Sequence, residues 1–261
     1  MAEAKTAVAH KPNWVDLSTS DPKAAREYYS KLFGWKIEEL GEEAGFYSLA
    51  RIGDKDVAGI GPKQAPEGPS AWAVYIGTPD AEDTAKKVEA EGGTVIAAPF
   101  DVMDQGRMAV FQDPSGAFIS VWQPMKMAGA RLVGEPNTLG WAELNSRGID
   151  KSAPFYKKVF GWGEKKSPMT QGQEGEYTEF QLGGESIAGG MEMNPMVPAE
   201  VPSYWMVYFN VDDVDKAFKK ATEAGGQEML APQDMPGGRF AILSDPQGAT
   251  FGLLKMEQPT K

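Results

Sequence analysis

The side chains best equipped for chemistry in this chain are two acids and two arginines: Asp16 and Glu143, Arg107 and Arg239. A carboxylate held away from bulk water can act as a general base beside a carbonyl, and a guanidinium can stabilise the enolate that forms. Near these residues in sequence lie Trp14, Tyr75, Ser120 and Trp122, and then Trp141, Met206 and Tyr208. Broad aromatic surface with a few polar groups suits a flat or partly apolar organic ligand. There is no cysteine, which excludes thiolate chemistry and a disulfide framework. The single histidine, His10, falls in the stretch Met1–Lys11, which reads as a loose tail. No Gly-rich phosphate loop follows a strand and opens a helix.

The elements that must position these groups follow from periodicity. Trp14–Thr19 alternates with the period of a strand, so Trp14 and Asp16 share a face. Asp21 is placed to cap a helix, Pro22 to start it and Gly34 to stop it. Over Pro22–Phe33 the residues Ala25, Tyr28, Tyr29 and Leu32 form one apolar stripe. Phe46–Ala50 and Lys55–Ile60 read as hairpin strands, and Pro62–Pro69 as a connector. The pattern then restarts with a strand at Ala71–Gly77, a helix at Asp80–Glu91, and strands at Thr94–Ala97, Arg107–Gln112 and Ala117–Gln123. The turn Asp113-Pro114-Ser115-Gly116 joins the last two. Across it, Ser120 is expected opposite Ala109 and Trp122 near Arg107. Arg107, Ala109, Phe111, Phe118, Ser120 and Trp122 would then share a face, as would Arg239, Ala241, Leu243, Thr250, Gly252 and Leu254 in a later copy.

That later copy is explicit in the chain. Trp14-Val15-Asp16-Leu17, Tyr28-Tyr29 and Phe33-Gly34-Trp35 return as Trp141-Ala142-Glu143-Leu144, Phe155-Tyr156 and Phe160-Gly161-Trp162; 141 − 14 and 162 − 35 both give 127. Trp72–Tyr75 returns as Trp205–Tyr208, and Asp113–Gly116 as Asp245–Gly248, where 245 − 113 gives 132. A period this long marks a duplicated domain. The expected domains are 12–124 and 138–257, each holding two strand–helix–strand–strand–strand units. The class is α+β with mostly antiparallel sheet.

Composition narrows the partners. The chain has 261 residues and a formal net charge of −11, which argues against nucleic acid or an anionic membrane as a partner. No segment approaches the roughly 20 apolar residues that span a bilayer, and the amino terminus lacks the apolar centre of a secretory signal. A cytoplasmic protein is expected, as a monomer with two pseudo-symmetric halves or a homodimer, with a small organic molecule as its partner.

Four such units in two paired modules resemble the vicinal oxygen chelate superfamily, which includes glyoxalase I, bleomycin-resistance proteins and extradiol dioxygenases. The resemblance is carried by Trp14-Val15-Asp16-Leu17, by Tyr28-Tyr29-Ser30-Lys31-Leu32-Phe33-Gly34-Trp35, and by Phe111-Gln112-Asp113-Pro114-Ser115-Gly116, each echoed in the second half. It spans roughly residues 12–257 and looks most like the tandem glyoxalase-like proteins of actinobacteria. It implies cupped sheets of four βαβββ units. Metal-using members place a His on the first strand, seven residues before the Asp that opens the helix. A second ligand follows on the strand opening the next unit, and a Glu seven residues after the turn Asp. Here those places hold Trp14, Ala73 and Ser120, and then Trp141, Met206 and Gly252. None suits a divalent ion, so no metal and no cofactor are expected.

Within this resemblance each cup is aromatic, with one acid and one arginine. Two functions stay open. One is binding without turnover, of the sequestration or resistance type, through Trp14, Tyr75, Ser120, Trp122, Trp141, Met206 and Tyr208. The other is a metal-independent isomerase, cyclase or lyase using Asp16 or Glu143 as base and Arg107 or Arg239 as oxyanion stabiliser. A third, less specific reading is a surface interaction protein. The same residues also have a structural reading, with the tryptophans as core filler and the acids ion-paired to the arginines.

Overall fold

A computed structural model describes residues 9–64, 67–169 and 175–257. Among them, sixteen strands and four α-helices form four βαβββ modules. Module one runs β1 (Pro12–Thr19), α1 (Pro22–Phe33), β2 (Lys36–Glu39), β3 (Ser48–Ile52) and β4 (Lys55–Pro62). Module two is β5 (Ala71–Gly77), α2 (Ala81–Ala90), β6 (Thr94–Val102), β7 (Gly106–Gln112) and β8 (Phe118–Pro124). Module three is β9 (Leu139–Ser146), α3 (Ile149–Phe160), β10 (Gly163–Pro168), β11 (Glu176–Leu182) and β12 (Glu185–Glu192). Module four is β13 (Tyr204–Asn210), α4 (Val214–Glu223), β14 (Gln227–Met235), β15 (Gly238–Ser244) and β16 (Thr250–Met256). The strands form two open, mixed eight-stranded sheets, ordered β2-β3-β4-β1-β5-β8-β7-β6 and β10-β11-β12-β9-β13-β16-β15-β14. The fold is therefore the expected α+β tandem.

The start of α1 follows the cap read from sequence, the Asp21 carboxylate accepting the Ala24 N–H at 3.0 Å. Asp80 and Asp213 cap α2 and α4 in the same way, accepting Asp83 N–H at 2.9 Å and Lys216 N–H at 3.0 Å. Gly34 ends α1 at φ 71°. The short strand β2 was not legible, because Lys36–Glu39 carries one apolar residue and no alternation. The expected loose tail needs correcting at its end. Residues 1–8 lie outside the described residues, but His10 is anchored: its N–H donates to Gly77 O at 2.6 Å, and its carbonyl accepts the Trp162 indole N–H at 2.6 Å.

By Cα proximity the chain divides into two compact units. One, Val15–Ala73, Ala130–Trp141 and Met206–Lys261, holds most of modules one and four; the other, Met1–Trp14, Val74–Gly129 and Ala142–Trp205, holds most of two and three. In the one–four unit, Tyr29, Phe33, Trp35, Trp72, Phe209 and Phe251 pack as a ring cluster. The Trp72 indole N–H donates to the Tyr29 hydroxyl at 3.0 Å, which donates to buried Asp245 at 3.1 Å. The two–three unit repeats the chain of bonds: Trp205 to Tyr156 at 2.8 Å, and Tyr156 to Asp113 at 3.1 Å. Tyr28, Tyr29, Phe155 and Tyr156 are thus core, as their stripes required.

Burial raises the pKa of Tyr28, Tyr29 and Tyr156, with carboxylate charge adding to it. Stability from these groups is present below the ordinary tyrosine value of about 10 and is lost as pH rises further. An alkaline ultraviolet titration should therefore show a delayed tyrosinate step that coincides with loss of circular dichroism. Smooth ionisation of all tyrosines before unfolding would contradict the buried network.

Candidate functional site

In module two the hairpin register decides which side chains share a face. Met108 pairs with Trp122, Val110 with Ser120, and Gln112 with Phe118. Parallel pairing on the other edge sets Tyr75 beside Ser120 and Gly77 beside Trp122. Phe100 pairs with Met108 from β6. Tyr75, Ser120 and Trp122, all expected at the site, therefore lie on one face with Met108, Val110, Phe100 and Phe118. Tyr75, Ser120 and Trp122 are buried, whereas Phe100 and Phe118 are 45% and 54% exposed. The Trp122 indole N–H is held by Met127 O at 2.8 Å.

The register differs by one residue from the one expected, and every β7 side chain changes face. The reason lies in the turn. Asp113 Oδ1 accepts Ser115 N–H at 2.8 Å, the Ser115 hydroxyl at 2.7 Å and Ala117 N–H at 3.1 Å. Ala117 thus belongs to the loop, with Gly116 at φ 90°, and the hairpin closes one residue later. Arg107, Ala109 and Phe111 accordingly lie on the opposite, helix-bearing face. Arg107 is paired with Glu82 of α2 at 2.5 Å and with Asp101 at 2.8 Å.

Module four repeats this arrangement. Phe240 pairs with Leu254, Ile242 with Gly252 and Ser244 with Thr250, while Tyr208 lies beside Gly252. Met206, Tyr208, Phe240, Ile242, Thr250, Gly252 and Leu254 share the face, with the Tyr208 and Phe240 rings 6.4 Å apart. Arg239, Ala241 and Leu243 lie on the other side. Asp215 of α4 holds Arg239 by two bonds of 2.8 Å and Asp234 by one of 2.7 Å, which raises the guanidinium pKa. The expectation that Arg107 and Arg239 share the ligand faces is therefore corrected.

The acids are built differently. In the one–four unit, Asp16 on β1 lies directly beside Gly59 on β4, and Tyr47 donates its hydroxyl to Asp16 Oδ2 at 3.3 Å. In the two–three unit, Glu143 lies beside Gly189, and Tyr177 donates to Glu143 Oε2 at 2.9 Å. Glu143 is only 8% exposed. Burial, and then the charge of Glu143, raise the pKa of Tyr204. Neither Tyr47 nor Tyr177 was singled out from sequence, although they are echoes at a shift of 130 (177 − 47). Trp14 is buried and Trp141 half-buried.

The positions that the resemblance assigns to metal ligands, Trp14, Ala73, Ser120, Trp141, Met206 and Gly252, hold indoles, a thioether, a hydroxyl, a methyl group and no side chain at all. A Cβ added to Gly252 would lie 2.1 Å from Tyr208 Cδ1, so the tyrosine ring occupies the space of a side chain there. Among the described residues, no three His, Cys, Asp or Glu side chains gather closely enough to hold a metal ion. These residues do not fit the ion. Among the described residues no helix is long and apolar enough to cross a membrane.

Comparison with known proteins agrees with this architecture. The family model described as Glyoxalase/Bleomycin resistance protein/Dioxygenase superfamily matches residues 11–121 and 138–253. A Mycobacterium tuberculosis protein named "Putative glyoxylase CFP32" is 42% identical over 250 residues, covering 94% of each chain. The anthracycline biosynthesis protein DnrV of Streptomyces peucetius is 36% identical over 263 residues, covering 95% of this chain and 94% of its own. The Mn(II)-bound glyoxalase from Novosphingobium aromaticivorans superposes with a TM-score of 0.66 at 16% identity, over 96% of this chain and 84% of that one, which speaks to fold alone.

Proposed function

We propose that this chain, which belongs to the Glyoxalase/Bleomycin resistance protein/Dioxygenase superfamily, binds a small, partly aromatic organic molecule without a metal ion. One observation carries the reading: the module-two face sets half-exposed Phe100 and Phe118 beside Met108 and Val110, with the Ser120 hydroxyl among them. Aromatic rings and aliphatic carbons that meet solvent around one small polar group favour a planar ligand with a single directional hydrogen bond. Covering about 200 Å² of apolar surface contributes roughly 5 kcal/mol before the entropy of association is subtracted, so the apolar contact by itself reaches no tighter than about the millimolar range and the hydrogen bond must supply the rest. The ill-fitting donor set supports independence from metal. The name of the S. peucetius relative, an anthracycline biosynthesis protein, is compatible with an aromatic ligand. Titration with 2-naphthol should quench tryptophan fluorescence saturably, equally well in excess chelator, and return the naphthol chemically intact. Quenching that requires added divalent ion, or that never saturates, would sink the proposal.

A second reading is favoured by the hydrogen-bonded acids. Asp16 or Glu143 would remove a proton next to a carbonyl, its carboxylate held in place by Tyr47 or Tyr177, in an isomerase, cyclase or lyase reaction. The arginines take no part, since they lie on the far face of their strands. Turnover that survives chelator and disappears in Asp16→Asn with Glu143→Gln would decide for it.

A further inference from the structure

We infer that the duplicated faces are not equivalent: one chain binds one aromatic ligand, on the module-two face, and module four fills its own copy of that face with its own side chains. The inference rests on the binding reading and assigns it to one copy, with Phe100, Phe118 and Ser120 as the residues that make the difference. The two hairpins can be compared position by position, since 240 − 108, 250 − 118 and 254 − 122 all give 132, and 233 − 100 gives 133 on the outer strand. The pairing agrees. Phe240 lies opposite Leu254 as Met108 lies opposite Trp122, and Gln233 lies beside Phe240 as Phe100 lies beside Met108.

Two of the differences remove exposed rings. Half-exposed Phe100 becomes Gln233 and half-exposed Phe118 becomes Thr250. In module two those rings stand at opposite corners of the face, two strands and four residues apart, or about 10 Å by about 13 Å in an ordinary sheet. Val110 and Ser120 lie between them. An aromatic molecule settling there covers carbon at either corner. In module four the same molecule would take an amide and a hydroxyl out of water, which is unfavourable unless each finds a new partner. Among the described residues, the exposed large apolar side chains of module four are Met229 and Met256, neither of them a ring.

The third difference lies beneath. Gly252 leaves room that the chain uses for itself: a Cβ there would lie 2.1 Å from Tyr208 Cδ1 and 2.4 Å from its Cε1. The Tyr208 ring therefore lies across the strand, and the Phe240 ring packs against it at 6.4 Å and 63°. In module two Ser120 places its own Cβ at that position, so Tyr75, beside it in the register, cannot lie across the strand in the same way. What remains there is a hydroxyl that can direct a hydrogen bond.

Equilibrium dialysis of the full chain against 2-naphthol, carried to saturation, counts the sites. Wild type should hold about one naphthol per chain. Phe100→Gln with Phe118→Thr, which gives module two the corner residues of module four, should weaken binding at least about tenfold. Both positions are half-exposed, so the fold should tolerate the change, and melting temperature checks it. Ile242→Asp, which puts a charge on the module-four face, should leave one naphthol bound with affinity within about twofold of wild type. If that variant does not fold, the wild-type count and the double variant still decide. Two naphthols per wild-type chain, full affinity in the double variant, or loss of binding in a folded Ile242→Asp overturns this inference and leaves the aromatic binding reading intact. Failure of wild type to bind naphthol overturns both.

Discussion

Asp245→Ala is expected to lower the unfolding free energy by about 4 kcal/mol, and Tyr29→Phe by only about 1–2 kcal/mol. Asp245 is fully buried and serves three donors: Gln247 N–H and Ala249 N–H at 2.9 Å each, and the Tyr29 hydroxyl at 3.1 Å. Alanine strands all three, and each buried donor left unmade costs about 1–3 kcal/mol. Phenylalanine at 29 removes one donor and leaves only the Trp72 indole N–H without its 3.0 Å partner. Urea unfolding measures both; a loss under about 1.5 kcal/mol for Asp245→Ala would contradict the argument. The same carboxyl carries a pH signature. Burial raises its pKa in the folded state, so the folded chain holds more protons between the ordinary value of about 3.9 and the raised one. Stability from this group is complete below the ordinary value and declines as pH rises through the raised one. The advantage of wild type over Asp245→Asn should therefore shrink as pH climbs from about 4 toward neutrality, and a constant difference would remove the assigned cause.

The residues of this network were legible as packing and not as a network. Tyr28-Tyr29 and Phe155-Tyr156 announce themselves through the helical stripe, and Trp35 and Trp162 through their place just past a helix-ending glycine. That Asp245 bonds Tyr29 of module one, and Asp113 bonds Tyr156 of module three, depends on which modules pack together, and no local pattern carries that. The duplication was visible because buried aromatic residues keep their spacing. Positions on the proposed ligand face drift: Ser120 and Trp122 become Gly252 and Leu254. Tyr47 escaped notice because it precedes its strand and gains meaning only beside Gly59 and Asp16. Comparing the copies at a shift of 130 would have found it. The arginines were misassigned for a simpler reason. A four-residue turn at Asp113–Gly116 and a five-residue loop ending at Ala117 differ by one position, and one position exchanges the faces of a strand.

That single position gives the sharpest test of the ligand face. Val110→Asp should weaken naphthol binding at least about a hundredfold, whereas Arg107→Met should change it less than about twofold. Val110 lies opposite Ser120, so an aspartate there puts a charge into the apolar surface that the ligand would have to desolvate. Because Val110 is half-buried, the aspartate reaches enough solvent for the chain to fold, and melting temperature checks this directly. Arg107 lies next to Gln123 in the register and spends its guanidinium on Glu82 and Asp101, partners that are themselves mostly exposed. Losing such surface pairs costs at most about 1 kcal/mol of stability and touches nothing on the ligand side. Under the alternative register the two results would exchange, with the arginine essential and position 110 facing the helix. Fluorescence titration of the two variants beside wild type distinguishes the cases, and a large loss in Arg107→Met with a small one in Val110→Asp would return the arginine to the site.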